Sequence, residues 1–146
     1  MSEENAPEVK VARLRYAGQE QFIGESPSGH ADITSFAHEH STAASPMELL
    51  LISLGGCTGA DVSSILQKKR QRVTSYEIEV RGARRDQHPR IYTDIEVIHK
   101  VRGYNLDEKA VARAIELSET KYCSVSAMLS ASANITSRYE IEQESE

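Results

Sequence analysis

The chain has 146 residues and a formal net charge of -5, with a pI near 5.6. It has the length of one domain and lacks the basic balance that nucleic-acid binding favours. Hydrophobic residues make up 39% and aromatics 5%, with no Trp, which leaves a lean core to Leu, Ile, Val and Ala and favours burial of further surface against a second copy.

The one basic cluster, Arg81, Arg84, Arg85 and Arg90, flanks a turn and reads as a solvated face. No segment is expected to cross a membrane. The N-terminal MSEENAPEVK lacks the charged and apolar regions of a signal peptide. The expected setting is therefore cytoplasmic, where thiols stay reduced. Two cysteines there are either inert core residues or a reactive pair, not a structural framework.

Residues 1–7 read as a disordered tail. Residues 8–16 alternate and predict a strand. Short strands follow at 21–24 and 31–34, separated by the turn residues Ser26-Pro27-Ser28-Gly29. A loop covers 35–44. Ser45, Pro46 and Glu48 then form a helix start, with Ser45 and Glu48 as the two halves of a capping box. The helix predicted over 46–69 is apolar all round from Met47 to Leu54, a pattern of burial on most sides. Gly55, Gly56 and Gly59 each cost about 1 kcal/mol against Ala within a helix, and close approach of another backbone is the expected compensation.

Strands are predicted over 73–82 and 91–102. Asn105 with Glu108 reads as the cap of a helix over 106–117. A break near Ser118 precedes a short helix over 122–131, and a strand from Ile135 to Ile141 closes the chain, with 143–146 as a disordered tail. The order βββ-α-ββ-αα-β makes the fold class α+β, in a single domain over 8–142, and no Rossmann or P-loop glycine pattern is present.

Cys57 lies within the long helix, with Asp61 at i+4 on the same face. A carboxylate beside a thiol raises the thiol's pKa, so Asp61 reads as structural or paired with a cation. Glu48 is explained by the capping box, and could equally hold an arginine near the thiol. Cys123 sits near a helix start with Lys121 two residues before it, and both features lower a thiol's pKa. His38-Glu39-His40 has the spacing of paired strand ligands but no third Cys or His nearby, and reads as a solvated loop.

Ser45-Pro46-Met47-Glu48-Leu49-Leu50-Leu51, followed by Leu54-Gly55-Gly56-Cys57-Thr58, and the later Glu119-Thr120-Lys121-Tyr122-Cys123-Ser124-Val125, together resemble the OsmC/Ohr family, and the surroundings of both cysteines resemble its YhfA-like branch. The resemblance implies an OsmC-like fold and an intertwined homodimer, with long central helices wrapped by antiparallel sheets from both chains. It implies that Cys57 is a peroxidatic cysteine and Cys123 its resolving partner, with Glu48 as a further site residue. The implied substrates are organic hydroperoxides in an apolar pocket lined by Leu and Met, and an external dithiol is the implied reductant. No metal or organic cofactor is implied. In the family's best-studied branches a Glu directly follows the Pro and fixes an activating Arg. Here Met47 takes that place, the carboxylate comes one residue later, and no Arg matches in the N-terminal strands.

Three functions fit these residues: a two-cysteine hydroperoxide reductase, a non-catalytic small-molecule carrier using the dimer-interface pocket, and a hydrolase pairing Cys57 with a histidine. The two cysteine motifs favour the first; the missing Arg favours the second.

Overall fold

The computed structural model describes residues 6–146. Most of the expected N-terminal tail, 1–7, lies outside them. Internal contacts group the chain into two compact units, Met1–Leu49 and Leu50–Glu146, where the sequence suggests one. Strand pairing is the physical reason: among the described residues, the first three strands pair only with one another.

The first unit is a meander of β1 (Arg13–Gly18), β2 (Gln21–Glu25) and β3 (Ala31–Ser35), antiparallel throughout. β1 begins at Arg13, five residues later than its alternating pattern suggests. Gly18, Gln19 and Glu20 all take positive φ, so the chain reverses tightly with a register shift between Tyr16 and Gly18. Tyr16, Phe22 and Phe36 gather their rings at centroid distances of 5.5 to 6.5 Å. His38, Glu39 and His40 lie in an exposed bend, as expected. The capping box forms as written: the Ser45 N–H donates to Glu48 Oε1 and the Glu48 N–H to Ser45 Oγ, both at 3.2 Å.

The second unit is built on α1 (Pro46–Lys68), whose first turn carries the boundary. Its sheet has the order β4-β5-β6, from β4 (Arg72–Arg84), β5 (Tyr92–Tyr104) and β6 (Asn134–Glu144). β4 and β5 are antiparallel, but β5 and β6 are parallel. The expectation of wholly antiparallel sheets is thus corrected to one antiparallel and one mixed sheet. A parallel neighbour needs a long crossover, and α2 (Glu108–Leu117), a π-turn (Ser118–Tyr122) and α3 (Ser124–Leu129) supply it. β6 runs to Glu144 rather than stopping at Ile141, and the Gln143 side chain brackets Leu106 through both its N–H and its C=O. Residues 143 and 144 are therefore strand, not tail. The basic cluster braces its turn, with Arg84 and Arg85 donating to the carbonyls of Arg90 and Pro89.

α1 buries one stripe, Leu54, Thr58, Val62 and Leu66, spaced four apart so that they stack on one face. Val62 and Leu66 join Val101, Leu106, Val111, Ala114 and Ile115 in the main core cluster. The expectation of burial on most sides fails within one chain: Ile52 is 62% exposed. The helix is also long and apolar enough to cross a membrane by length and composition, contrary to the sequence reading, although its buried stripe packs in this core. Gly55 and Gly59 lie against side chains of β4 and not against another backbone. A Cβ would meet Val80 Cγ2 at 3.3 Å from Gly55 and Ile78 Cδ1 at 2.9 Å from Gly59, while Gly56 faces open space. The cap of α2 is Asp107, whose carboxylate accepts from the Lys109 N–H, and not Asn105, which has positive φ.

Two outcomes are expected of this fold. A Cβ at Gly103 would lie 2.1 Å from the Arg72 carbonyl oxygen, a backbone atom that cannot rotate away. Gly103→Ala is expected to cost about 3 kcal/mol or more, read as a lower denaturation midpoint in urea. His99 is wholly buried in β5, bonded through Nδ1 to the Tyr76 hydroxyl at 2.5 Å, and its Nε2 has no hydrogen-bond partner. Burial lowers its pKa from 6.5 to about 4. Between those values the unfolded chain binds the extra proton, so this stability is full above pH 6.5 and is lost as pH falls toward 4. The loss is roughly 2–3 kcal/mol, and His99→Phe is expected to flatten that part of the stability–pH curve.

Candidate active site

The position of Cys57 follows from the stripe of α1. Thr58 belongs to the buried face, so its neighbour Cys57 stands at the margin, half-buried. Asp61, one turn on, stands on the same margin. Across from them the chain leaves α2 through the π-turn, which the Cys123 N–H closes by donating to the Ser118 carbonyl at 2.8 Å. A π-turn widens the helix by one residue and often marks a functional segment. Cys123 is then the N-cap of α3, and its Sγ accepts from the Ser126 N–H at 3.4 Å.

These elements bring Cys57 Sγ, Cys123 Sγ and an Asp61 carboxylate oxygen within 4.8 Å of one another. The two sulfurs therefore face each other across the gap between α1 and the start of α3. Ser118 Oγ donates to Asp61 Oδ2 at 2.9 Å and shares a second bond with Thr58 Oγ1 at 2.8 Å; Ser118 and Thr58 are both buried. Asp61 is thus held by a hydroxyl and, among the described residues, by no cation.

The electrostatics of Cys123 reverse the sequence expectation. The amide of Ser126 favours its thiolate as a helix start should, but burial outweighs it, and the hydrogen bond and charge of Cys57 and the charge of Asp61 push the same way. Together they raise the Cys123 thiol from 9.0 to about 11. Lys121 does not offset this: it is exposed and its Nζ lies over the Tyr122 ring, 5.2 Å from the centroid. Glu48 belongs to the first unit, exposed and engaged in the capping box.

A cavity of about 10 Å³ lies against Cys123, lined by Leu54, Thr58, Val97 and Ile135 among others. It has room for about one water, so it is not the Leu/Met-lined pocket expected for an organic substrate. Sequence reasoning found both cysteines and noticed Asp61. It missed Thr58 and Ser118, because a hydroxyl one turn from a helix break carries no sequence signal until the crossover folds back over α1.

A family profile described as OsmC-like protein matches residues 38–138, and the chain belongs to that family. Within it, the chain is 45% identical over 130 residues to Protein YhfA of Escherichia coli (strain K12), covering 89% of this chain and 96% of that one. A crystal structure of a hypothetical protein from Aquifex aeolicus VF5 superposes with a TM-score of 0.84 at 38% identity, covering 95% of this chain and 100% of that one. An organic hydroperoxide resistance protein from Elizabethkingia anophelis shares the fold, with a TM-score of 0.65 at 11% identity over 96% of this chain and 99% of that one.

The buried thiol is expected to be the slow one. In reduced protein near pH 8, iodoacetamide should label Cys57 first, and the Cys123 rate should keep rising about tenfold per pH unit toward pH 11. Equal rates at pH 8, read by peptide mass spectrometry, would contradict the raised pKa of the buried Cys123 thiol.

Proposed function

We propose that the protein is a two-cysteine hydroperoxide reductase working as a homodimer in a reducing, cytoplasmic setting. The observation that carries this reading is the pair of thiols, Cys57 and Cys123, whose sulfurs lie within 4.8 Å of each other beside a carboxylate. Membership of a family whose fold is shared by a hydroperoxide resistance protein supports the choice of oxidant.

In this reading Cys57, the less buried sulfur, is the nucleophile. Its thiolate attacks the terminal oxygen of a hydroperoxide, the O–O bond breaks, and the leaving alkoxide takes a proton to become an alcohol. Cys57 is then a sulfenic acid, oxidised by the two electrons the peroxide has gained. Cys123 gives up its proton and attacks that sulfur as the thiolate; the sulfenic hydroxyl leaves as water with that proton, and a disulfide forms. An external dithiol restores both thiols by exchange and is itself oxidised to a disulfide. The Ser126 N–H on Cys123 Sγ favours the thiolate that this last exchange releases. Glu48 acts in this scheme as a helix cap, and no metal or organic cofactor is needed.

A second copy would cover the face of α1 that carries the exposed Ile52 and Gly56, where a Cβ would meet open space. That interface would also supply an organic-substrate pocket. The exposed apolar surface equally supports the alternative of a non-catalytic carrier, and the assay separates the two. Turnover of cumene hydroperoxide with excess dithiol should be lost on Cys57→Ser, by about 100-fold or more. Cys123→Ser should still oxidise once but no longer form the internal disulfide. Glu48→Ala should lower the stability through loss of the capping-box partner, by about 1 kcal/mol, and keep most of the turnover. Unaltered turnover in Cys57→Ser, or none in the wild type, would overturn the reductase reading.

A further inference from the structure

The dithiol has a third member that peroxide chemistry does not use. Asp61 places a carboxylate oxygen within 4.8 Å of both sulfurs. The three donor atoms converge on one point from two elements of the fold, Cys57 and Asp61 from α1 and Cys123 from the start of α3.

We propose that Cys57, Asp61 and Cys123 form a three-ligand site for a thiophilic divalent cation of the zinc class, with the fourth position open. Two thiolates and one carboxylate are a donor set suited to that class. Tetrahedral zinc with sulfur at about 2.3 Å needs ligand atoms about 3.8 Å apart, so the observed cluster has to contract by roughly 1 Å or less, within reach of side-chain rotation. The ligands come from two supports. Cys57 and Asp61 stand one turn apart on α1, the spacing that helical ligand pairs use, and Cys123 enters from the crossover at the start of α3.

The support behind Asp61 is the second observation. Ser118 donates to Oδ2 at 2.9 Å and is itself tied to Thr58 at 2.8 Å. Such a bond orients a ligating carboxylate and leaves its other oxygen for the ion. The reductase scheme above assigns these two hydroxyls no part. Binding would release the thiol protons and hold both sulfurs as metal thiolates, so the bound ion would block disulfide formation. The site is independent of the reductase reading, since a carrier with these three side chains would bind the same ion.

The test uses the full-length chain, reduced with a phosphine and stripped of metal. Zinc is titrated in competition with a chromophoric chelator, and cadmium is followed by its thiolate charge-transfer absorbance. The expected result is one ion per chain with Kd below about 1 µM, at least a 100-fold loss in Cys57→Ser and in Cys123→Ser, and at least a tenfold loss in Asp61→Asn. That last variant keeps both thiols and the side-chain shape, so it separates a three-ligand site from a simple dithiol. If Asp61→Asn does not fold, cobalt bound to the wild type decides: intense visible bands mark the tetrahedral site, and weak octahedral bands refute it. Substoichiometric binding, or full affinity in a folded Asp61→Asn, would overturn the proposal. Failure of zinc to bind leaves hydroperoxide turnover by the metal-free protein untouched, so the two readings fail separately.

Discussion

The packing of α1 on β4 sets the position of every reactive group. Gly55 and Gly59 bring the helix close enough for Val80 and Ile78 to lie against it, and the stripe Leu54, Thr58, Val62 and Leu66 turns inward as a result. That rotation leaves Cys57 and Asp61 at the margin of the buried face. Turning the helix by one residue, about 100°, would carry the thiol into the core or out to solvent. The glycines cost helix propensity, and what offsets it is the approach of two β-branched side chains.

The crossover depends on the same geometry. A parallel β6 requires the chain to return across the sheet, and the return passes through α2, the π-turn and α3. The π-turn delivers Ser118 to Asp61 and Cys123 to Cys57. Burial then distinguishes the sulfurs: Cys123 is held as a thiol, while Cys57 keeps contact with solvent. In the proposed scheme the raised pKa of Cys123 makes its attack wait on removal of the thiol proton, since the thiolate is the attacking species.

Much of this was legible in the sequence, for local reasons. The capping box of Ser45 and Glu48 involves four consecutive residues and forms as written. The strands β4 and β5 alternate strongly, and the structure extends them by one or two residues at each end except at the start of β5. The two cysteine motifs pointed to the family. What was not legible depends on distant partners. Asn105 and Asp107 both have the chemistry of a cap, and the backbone chose Asp107 because Asn105 takes a left-handed turn. The alternation of β6 does not encode whether its neighbour is parallel. The thiol pKa of Cys123 was misjudged because the amide of Ser126 is local, whereas burial and Asp61 are not. Burial of α1 on most sides was read from the all-round apolar run Met47 to Leu54, yet a single chain covers only one stripe.

The central claim is that Cys57 and Cys123 act as one redox unit. Mapping the cysteines by non-reducing peptide mass spectrometry, after one equivalent of an organic hydroperoxide per reduced chain, tests it most directly. The account predicts a Cys57–Cys123 disulfide within one chain, replaced in Cys123→Ser by a sulfenic acid confined to Cys57. Two unmodified thiols, or a stable sulfenic acid on wild-type Cys57 with Cys123 still free, would contradict it.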